Sequence, residues 1–163
     1  ASALADRPMV TESANVNKMG SGHVEGWFTD VEGLSGVAVA PAYAFADGLQ
    51  VGGLFQRLSD SGFSITTTGL NLKWRITPSN PTGCNFGAKF EFARATVKVD
   101  GFGSESGNAS GITGLGTCNF TQGGSLHMNL GFVKPSGGSN SVLWGLGYEH
   151  LDQLVFDLLM GAR

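Results

Sequence analysis

Charge is scarce in this chain. Asp, Glu, Lys and Arg make up only 14% of residues, against about 25% in typical soluble domains, which is too little for an ordinary solvated surface. Long apolar runs are missing as well. No stretch nears the ~20 residues a membrane helix requires, and the longest, 36–46, is rich in Gly and Ala and holds Pro41. Cysteine is limited to Cys84 and Cys118, with no Cys-x-x-Cys, and His23, His127 and His150 are far apart. No acidic stretch has calcium-loop spacing, so no metal and no cofactor is expected. The net charge is −3 and Arg7, Lys18 and Arg57 form no basic patch, so nucleic acid is not an expected partner. A G-x-S-x-G elbow is absent, and the glycine-rich stretch Gly111–Gly116 is not a strand-to-helix phosphate loop, so no enzyme is expected.

What the chain does have is a two-residue alternation. In Thr67–Ile76, the residues Thr68, Leu70, Leu72, Trp74 and Ile76 share one side of an extended strand. Thr67, Gly69, Asn71, Lys73 and Arg75 share the other. A soluble sheet would show a charged face to water, but here the polar face is mostly Gly, Ala, Asn and a few scattered charges. The inverted assignment, apolar face to lipid and small or charged face to a narrow interior, predicts an all-β transmembrane antiparallel up-and-down barrel of about eight to ten strands. Such a barrel keeps every backbone polar group paired in lipid. At 163 residues there is room for one domain.

Residues 1–21 are polar and aperiodic, and read as a tail or plug; 22–163 read as the barrel domain. Its strands fall near 23–29, 36–45, 49–56, 67–76, 86–93, 112–120, 126–132, 142–149 and 154–162. Asp47-Gly48 and Ser59–Gly62 mark turns, and residues 100–110, rich in Gly, Ser and Asn, read as the longest loop. The count is about nine, whereas bacterial single-chain barrels use even numbers. A tenth strand in 1–21, a false strand, or a strand supplied by a neighbour would each resolve that parity. The opening Ala1–Asp6 reads as the remnant of a cleaved signal peptide, placing the protein beyond the inner membrane.

If Asp100-Gly101 is a tight hairpin turn, position 84 lies opposite about position 117, which brings Cys84 close to Cys118. A disulfide is one outcome in an oxidising periplasm; a longer loop over 100–110 would defeat it. The residues expected to face lipid are Leu70, Leu72, Trp74, Phe90, Phe92, Leu130, Phe132, Trp144, Leu146 and Phe156. Those expected inside are Lys73, Arg75, Lys89, Glu91, His127, Asn129, Glu149 and Asp157. Unpaired charges there would be costly, so mixed signs on one face read as ion pairs filling a narrow lumen. A polar permeation path is the alternative role for the same residues. His127 with Ser125 and Glu149 is the only constellation with a catalytic flavour, and a histidine on a strand face is more often structural. The competing class is a soluble β-sandwich or lipocalin-like binding protein, in which the apolar face would be core.

Ala5-Asp6-Arg7-Pro8-Met9-Val10-Thr11-Glu12-Ser13-Ala14 resembles the opening of a family of proteobacterial outer-membrane barrels grouped with the MetA-type (phenol degradation) transporters. His23–Trp27, Thr68–Lys73, Leu126–Phe132 and Trp144–Glu149 resemble strands of the same family. The resemblance implies an outer-membrane location, a porin-like barrel fold and the lipid bilayer as partner, and little about substrate. Such barrels usually carry one or two more strands and finish on an aromatic residue, whereas Arg163 stands last here. The expectation that follows is a structural or narrow-pore role, with other membrane subunits or a second copy completing the sheet.

Overall fold

In the computed structural model, residues 12–31, 33–120, 123–150 and 153–162 are described, without the side chains of 31, 150 and 153–162. The described residues form one antiparallel sheet and no helix. Its strands are β1 (Gly22–Val31), β2 (Leu34–Ala46), β3 (Leu49–Asp60), β4 (Phe63–Arg75), β5 (Cys84–Val99), β6 (Gly103–Asn119), β7 (Gly124–Pro135), β8 (Ser141–His150) and β9 (Gln153–Ala162). They pair strictly in chain order, each with its sequence neighbours. Among the described residues no helix is long and apolar enough to cross a membrane. Short turns suffice because successive strands are antiparallel: Asp47-Gly48 joins β2 to β3, with Gly48 at φ 74, a left-handed conformation that glycine adopts without strain.

Residues 103–110 are strand, which corrects the loop expected over 100–110. The break is confined to 100–102, and Gly103–Ser110 pair in register with Phe92–Val99 of β5. Their Gly, Ser and Asn content suggested a loop, but sheet pairing along β5 overrides so weak a local preference. Strand β4 likewise starts earlier than the alternation indicated, at Phe63.

The sheet is curled. Residues 12–17 alone touch side chains of β1, β3, β4, β5, β6 and β7. On a flat sheet, with strands about 4.8 Å apart, those positions would spread over about 29 Å, beyond the roughly 20 Å that six extended residues can reach. The tail therefore lies on the concave face with the strands wrapped around it. Among the described residues β1 and β9 do not pair with each other, so the sheet is open.

Close approach at the concave face explains some of the small residues there. A Cβ on Gly36 of β2 would run into the carbonyl of Arg57 on β3. At the turn end of β5, Asn85 is 1% exposed. It accepts from the Asn80 N–H and donates to the Asn80 carbonyl, both at 2.8 Å, fixing the connection after β4.

Candidate functional site

The two faces of the sheet have opposite chemistry. On the convex face Leu70, Leu72, Trp74, Phe90, Phe92, Leu130, Phe132, Trp144 and Leu146 are 38% to 67% exposed. Phe156 pairs in register with Tyr148, but its side chain lies outside the described residues. On the concave face Lys73 is 1% exposed and His127 2%. The face bearing bulky apolar groups is thus the open one, and lysine is among the most buried residues of the chain.

The convex apolar residues form a band with a slanting border. Its last apolar member is Val37 on β2, Phe55 on β3, Leu70 on β4, Phe92 on β5, Ile112 on β6, Phe132 on β7 and Val142 on β8. In register, Val37 opposes Arg57, Phe55 opposes Thr68, Leu70 opposes Phe92, Phe92 opposes Ser110, and Ile112, Phe132 and Val142 form one row. The border therefore slips by about one residue per strand. With about 3.3 Å per residue and 4.8 Å between strands, it crosses the strands at about 35° from perpendicular. The opposite border moves in parallel, from Phe45 and Leu49 through Ile76 and Phe86 to Leu126 and Tyr148.

Beyond the first border the polarity reverses. Arg57, Ser59, Thr66, Arg94, Thr96, Lys98 and Lys134 point outward. Leu58, Ile65 and Val97, which oppose one another in one row, point inward and are half-buried. On β3, β4 and β5 the sheet above this line is organised as a water-soluble sheet, and below it inside out; on β6 the same row continues to the exposed Glu105.

The concave face holds three polar clusters, each closed by the tail. Glu12 reaches Lys73 at 3.3 Å and also binds Lys89, whose ammonium lies 2.9 Å from Glu91. With its amide turned to satisfy both groups, Asn129 donates to the Glu12 carbonyl at 2.9 Å and accepts from the Glu12 N–H at 2.6 Å. In the second cluster the Ala14 N–H donates to Thr117 Oγ1 at 2.8 Å, and Ser13 Oγ lies 3.3 Å from the same oxygen. Thr117 Oγ1 is hydrogen-bonded to His127 Nδ1 at 3.0 Å, and His127 Nε2 faces Glu149 at 3.4 Å. In the third, the Asn17 N–H donates to Gln50 at 3.0 Å and its amide meets His23 Nδ1 at 2.7 Å.

The structure therefore brings Lys73, Lys89, Glu91 and Asn129 together, and His127 with Glu149 separately. Arg75 stands apart at the turn end, paired with Asp47 at 2.9 Å. Asp157 opposes Gly147 in the register, but its side chain lies outside the described residues. Ser125 does not meet His127; it donates to Asn119 at 3.0 Å. The hydroxyl that does meet the imidazole, Thr117, is fully buried and occupied by the tail. Sequence reading missed Glu12, Ser13, Asn17, Gln50 and Thr117. The missed signal was a charge imbalance, two lysines against one nearby glutamate on adjacent strands, which required an acid from elsewhere.

On the convex face Cys84 and Cys118 are direct register partners joined by a disulfide, at the turn end of β5 and β6. Among the described residues no group of three or more His, Cys, Asp or Glu could hold a metal ion. The sequence matches no protein-family model, no curated protein and no solved structure.

Proposed function

We propose that this chain forms the wall of a bacterial outer-membrane β-barrel whose lumen is filled by its own N-terminal segment, with a scaffold role rather than catalysis. The observation that carries the reading is the tilted apolar band. A flat lipid slab cuts tilted strands along a slanting line, and barrel strands in outer membranes tilt by about 35–45°. A soluble protein has no reason to end an outward apolar band along one oblique line crossing seven strands, with apolar residues turning inward beyond it on β3, β4 and β5. The band covers about seven residues per strand, or roughly 23 Å along the strand, which a tilt of about 35° reduces to about 19 Å across the slab, somewhat shorter than the about 25 Å of such barrels.

The resemblance to the MetA-type barrels supports the same location. A narrow-pore transport role is the second reading, favoured by charged rather than apolar filling of the lumen; Glu12, Lys73 and Lys89 would then gate the path. In lipid, every unpaired strand N–H or C=O costs several kcal/mol, so this reading requires protein along the free edges of β1 and β9. That cover comes either from closure of the two on each other or from a membrane partner.

The test is fractionation followed by reconstitution. The protein is expected in the outer-membrane fraction, resistant to alkaline carbonate and soluble only with detergent. A stable, monodisperse protein recovered from the aqueous fraction would refute the proposal.

A further inference from the structure

On alternate strands the apolar band ends in one repeated pair. Phe55 is followed two residues on by Arg57 in β3, Phe92 by Arg94 in β5, and Phe132 by Lys134 in β7. Residues two apart share a face, so each cation stands on the convex side one step past the border. The intervening strands place hydroxyl or amide groups beside them. Arg57 opposes Thr66, Arg94 opposes Thr68 and Asn108, and Lys134 opposes Ser110. Each cation is shifted by about two residues from the last across two strands, in step with the slanting border, so the three lie at one height. Neighbouring Cα positions are about 12 Å apart, a gap that two extended basic side chains can close around one phosphate.

None of the three cations has an ion-pair or side-chain hydrogen-bond partner among the described residues. The opposite border has no Lys or Arg at an outward strand position among the described residues. The asymmetry is specific to one end of the sheet.

Beneath Arg57 the band carries a groove of about 570 Å³, lined by Val24, Pro41, Tyr43, Val51, Gly53 and Leu70. It exists because Gly53 has no side chain and because β2 and β3 are not paired at Ala40 and Pro41, where proline has no N–H to give. Gly53 lies four residues down β3 from Arg57, about 13 Å toward the middle of the band. A phosphate site with an apolar channel beneath it matches an amphiphile, not a free anion.

We infer that this face binds an anionic phospholipid, its phosphate held between Arg57 and Arg94 with Thr66 and Thr68 beside them, one acyl chain laid in the groove at Gly53, and Lys134, about 23 Å from Arg57, adding to the attraction for anionic headgroups. The inference rests on the membrane-spanning reading. Basic residues near a lipid surface each strengthen attachment to anionic headgroups about fivefold, and arginine binds phosphate through a bidentate fork.

The experiment uses the full chain refolded into phosphatidylcholine vesicles containing 20 mol% phosphatidylglycerol, then extracted gently and analysed for retained lipid by native mass spectrometry. The wild type should retain phosphatidylglycerol over phosphatidylcholine by about tenfold or more. The triple variant Arg57→Gln, Arg94→Gln, Lys134→Gln should lose that preference. Gly53→Phe should lower retention with all three cations intact; a Cβ there meets Pro41 at 3.5 Å, an ordinary contact, so the backbone accepts a side chain whose ring then fills the groove. Inorganic phosphate at the same concentration should not displace the lipid. Equal retention by wild type and triple variant, or displacement by inorganic phosphate, would overturn the inference while leaving the membrane reading intact. Failure of the wild type to enter vesicles at all would overturn both.

Discussion

Lys73 of β4 and Lys89 of β5 stand directly opposite each other on the concave face, and Glu12 of the tail binds both. Like charges facing across a strand pair are destabilising, and Lys73 is nearly inaccessible to water. The strand pairing is therefore tolerable because a carboxylate from far away in sequence lies between the ammonium groups. The tail is part of the interior, and the interior is incomplete without it.

Removing that carboxylate should be costly. Glu12→Gln leaves Lys73 without its ion-pair partner and Lys89 with Glu91 alone. Breaking one side of a buried charge pair costs about 3–5 kcal/mol, and because Glu12 is 32% exposed at its side chain we expect about 3 kcal/mol. Adding Lys73→Met to Glu12→Gln should recover part of the loss, because the uncompensated charge is gone. Urea unfolding in micelles of the two single variants and the double would measure the coupling. Strict additivity would show that Glu12 and Lys73 do not interact.

The outward face should respond to charge by depth. Leu72→Arg, inside the apolar band, should destabilise by about 2–4 kcal/mol in a bilayer. Thr66→Arg, beyond the border, should cost less than about 1 kcal/mol, and Leu72→Phe should be mild. Unfolding from vesicles gives the three values. Equal tolerance of arginine at both positions would mean that the band faces water.

How much of this was legible in the sequence depended on period. The strand period of two placed Leu70, Leu72 and Trp74 on one face and Lys73 on the other without any knowledge of partners, because geometry alone fixes it. Register is not a local property. A two-residue turn at Asp100-Gly101 would set Cys84 opposite position 117; the actual turn takes in Phe102 as well and moves the partner to Cys118. The tail partners were invisible for a related reason: Glu12, Ser13 and Asn17 follow no period, and only the folded sheet says which lysine or threonine they meet. The polar outer half of β6 was misread because Ser, Gly and Asn there suit a wet two-faced hairpin as well as a loop.

The Cys84–Cys118 bridge should contribute to stability mainly by restricting the unfolded chain. Its sequence separation is 34, for which loop-closure entropy gives about 3–4 kcal/mol. Replacing both cysteines by serine should lower the urea midpoint accordingly. Dithiothreitol should lower the wild type to the same point and leave the variant unchanged. A wild type indifferent to reductant would show that the bridge is absent or without energetic effect.

The tail's grip on the wall can be tested as a gate. Ser13 and Thr117 touch through their hydroxyls at 3.3 Å, so cysteines at both positions would place their sulfur atoms side by side. In a background with Cys84 and Cys118 replaced by serine, oxidised Ser13→Cys/Thr117→Cys should fix residues 12–17 against the concave face. Planar-bilayer recording is then expected to show a silent oxidised channel that conducts once the bridge is reduced. Thr117→Val takes the opposite direction, stripping the Ala14 N–H and His127 of a shared buried partner, at about 1–3 kcal/mol for the unsatisfied groups. It should loosen the tail and raise the frequency of conducting events. Should the oxidised variant conduct as steadily as the wild type, the ion path would not run beneath the tail and Glu12 would be only a structural ion-pair partner. Should Thr117→Val conduct while the locked variant does not, the tail is a plug, and the narrow-pore role gains its mechanism.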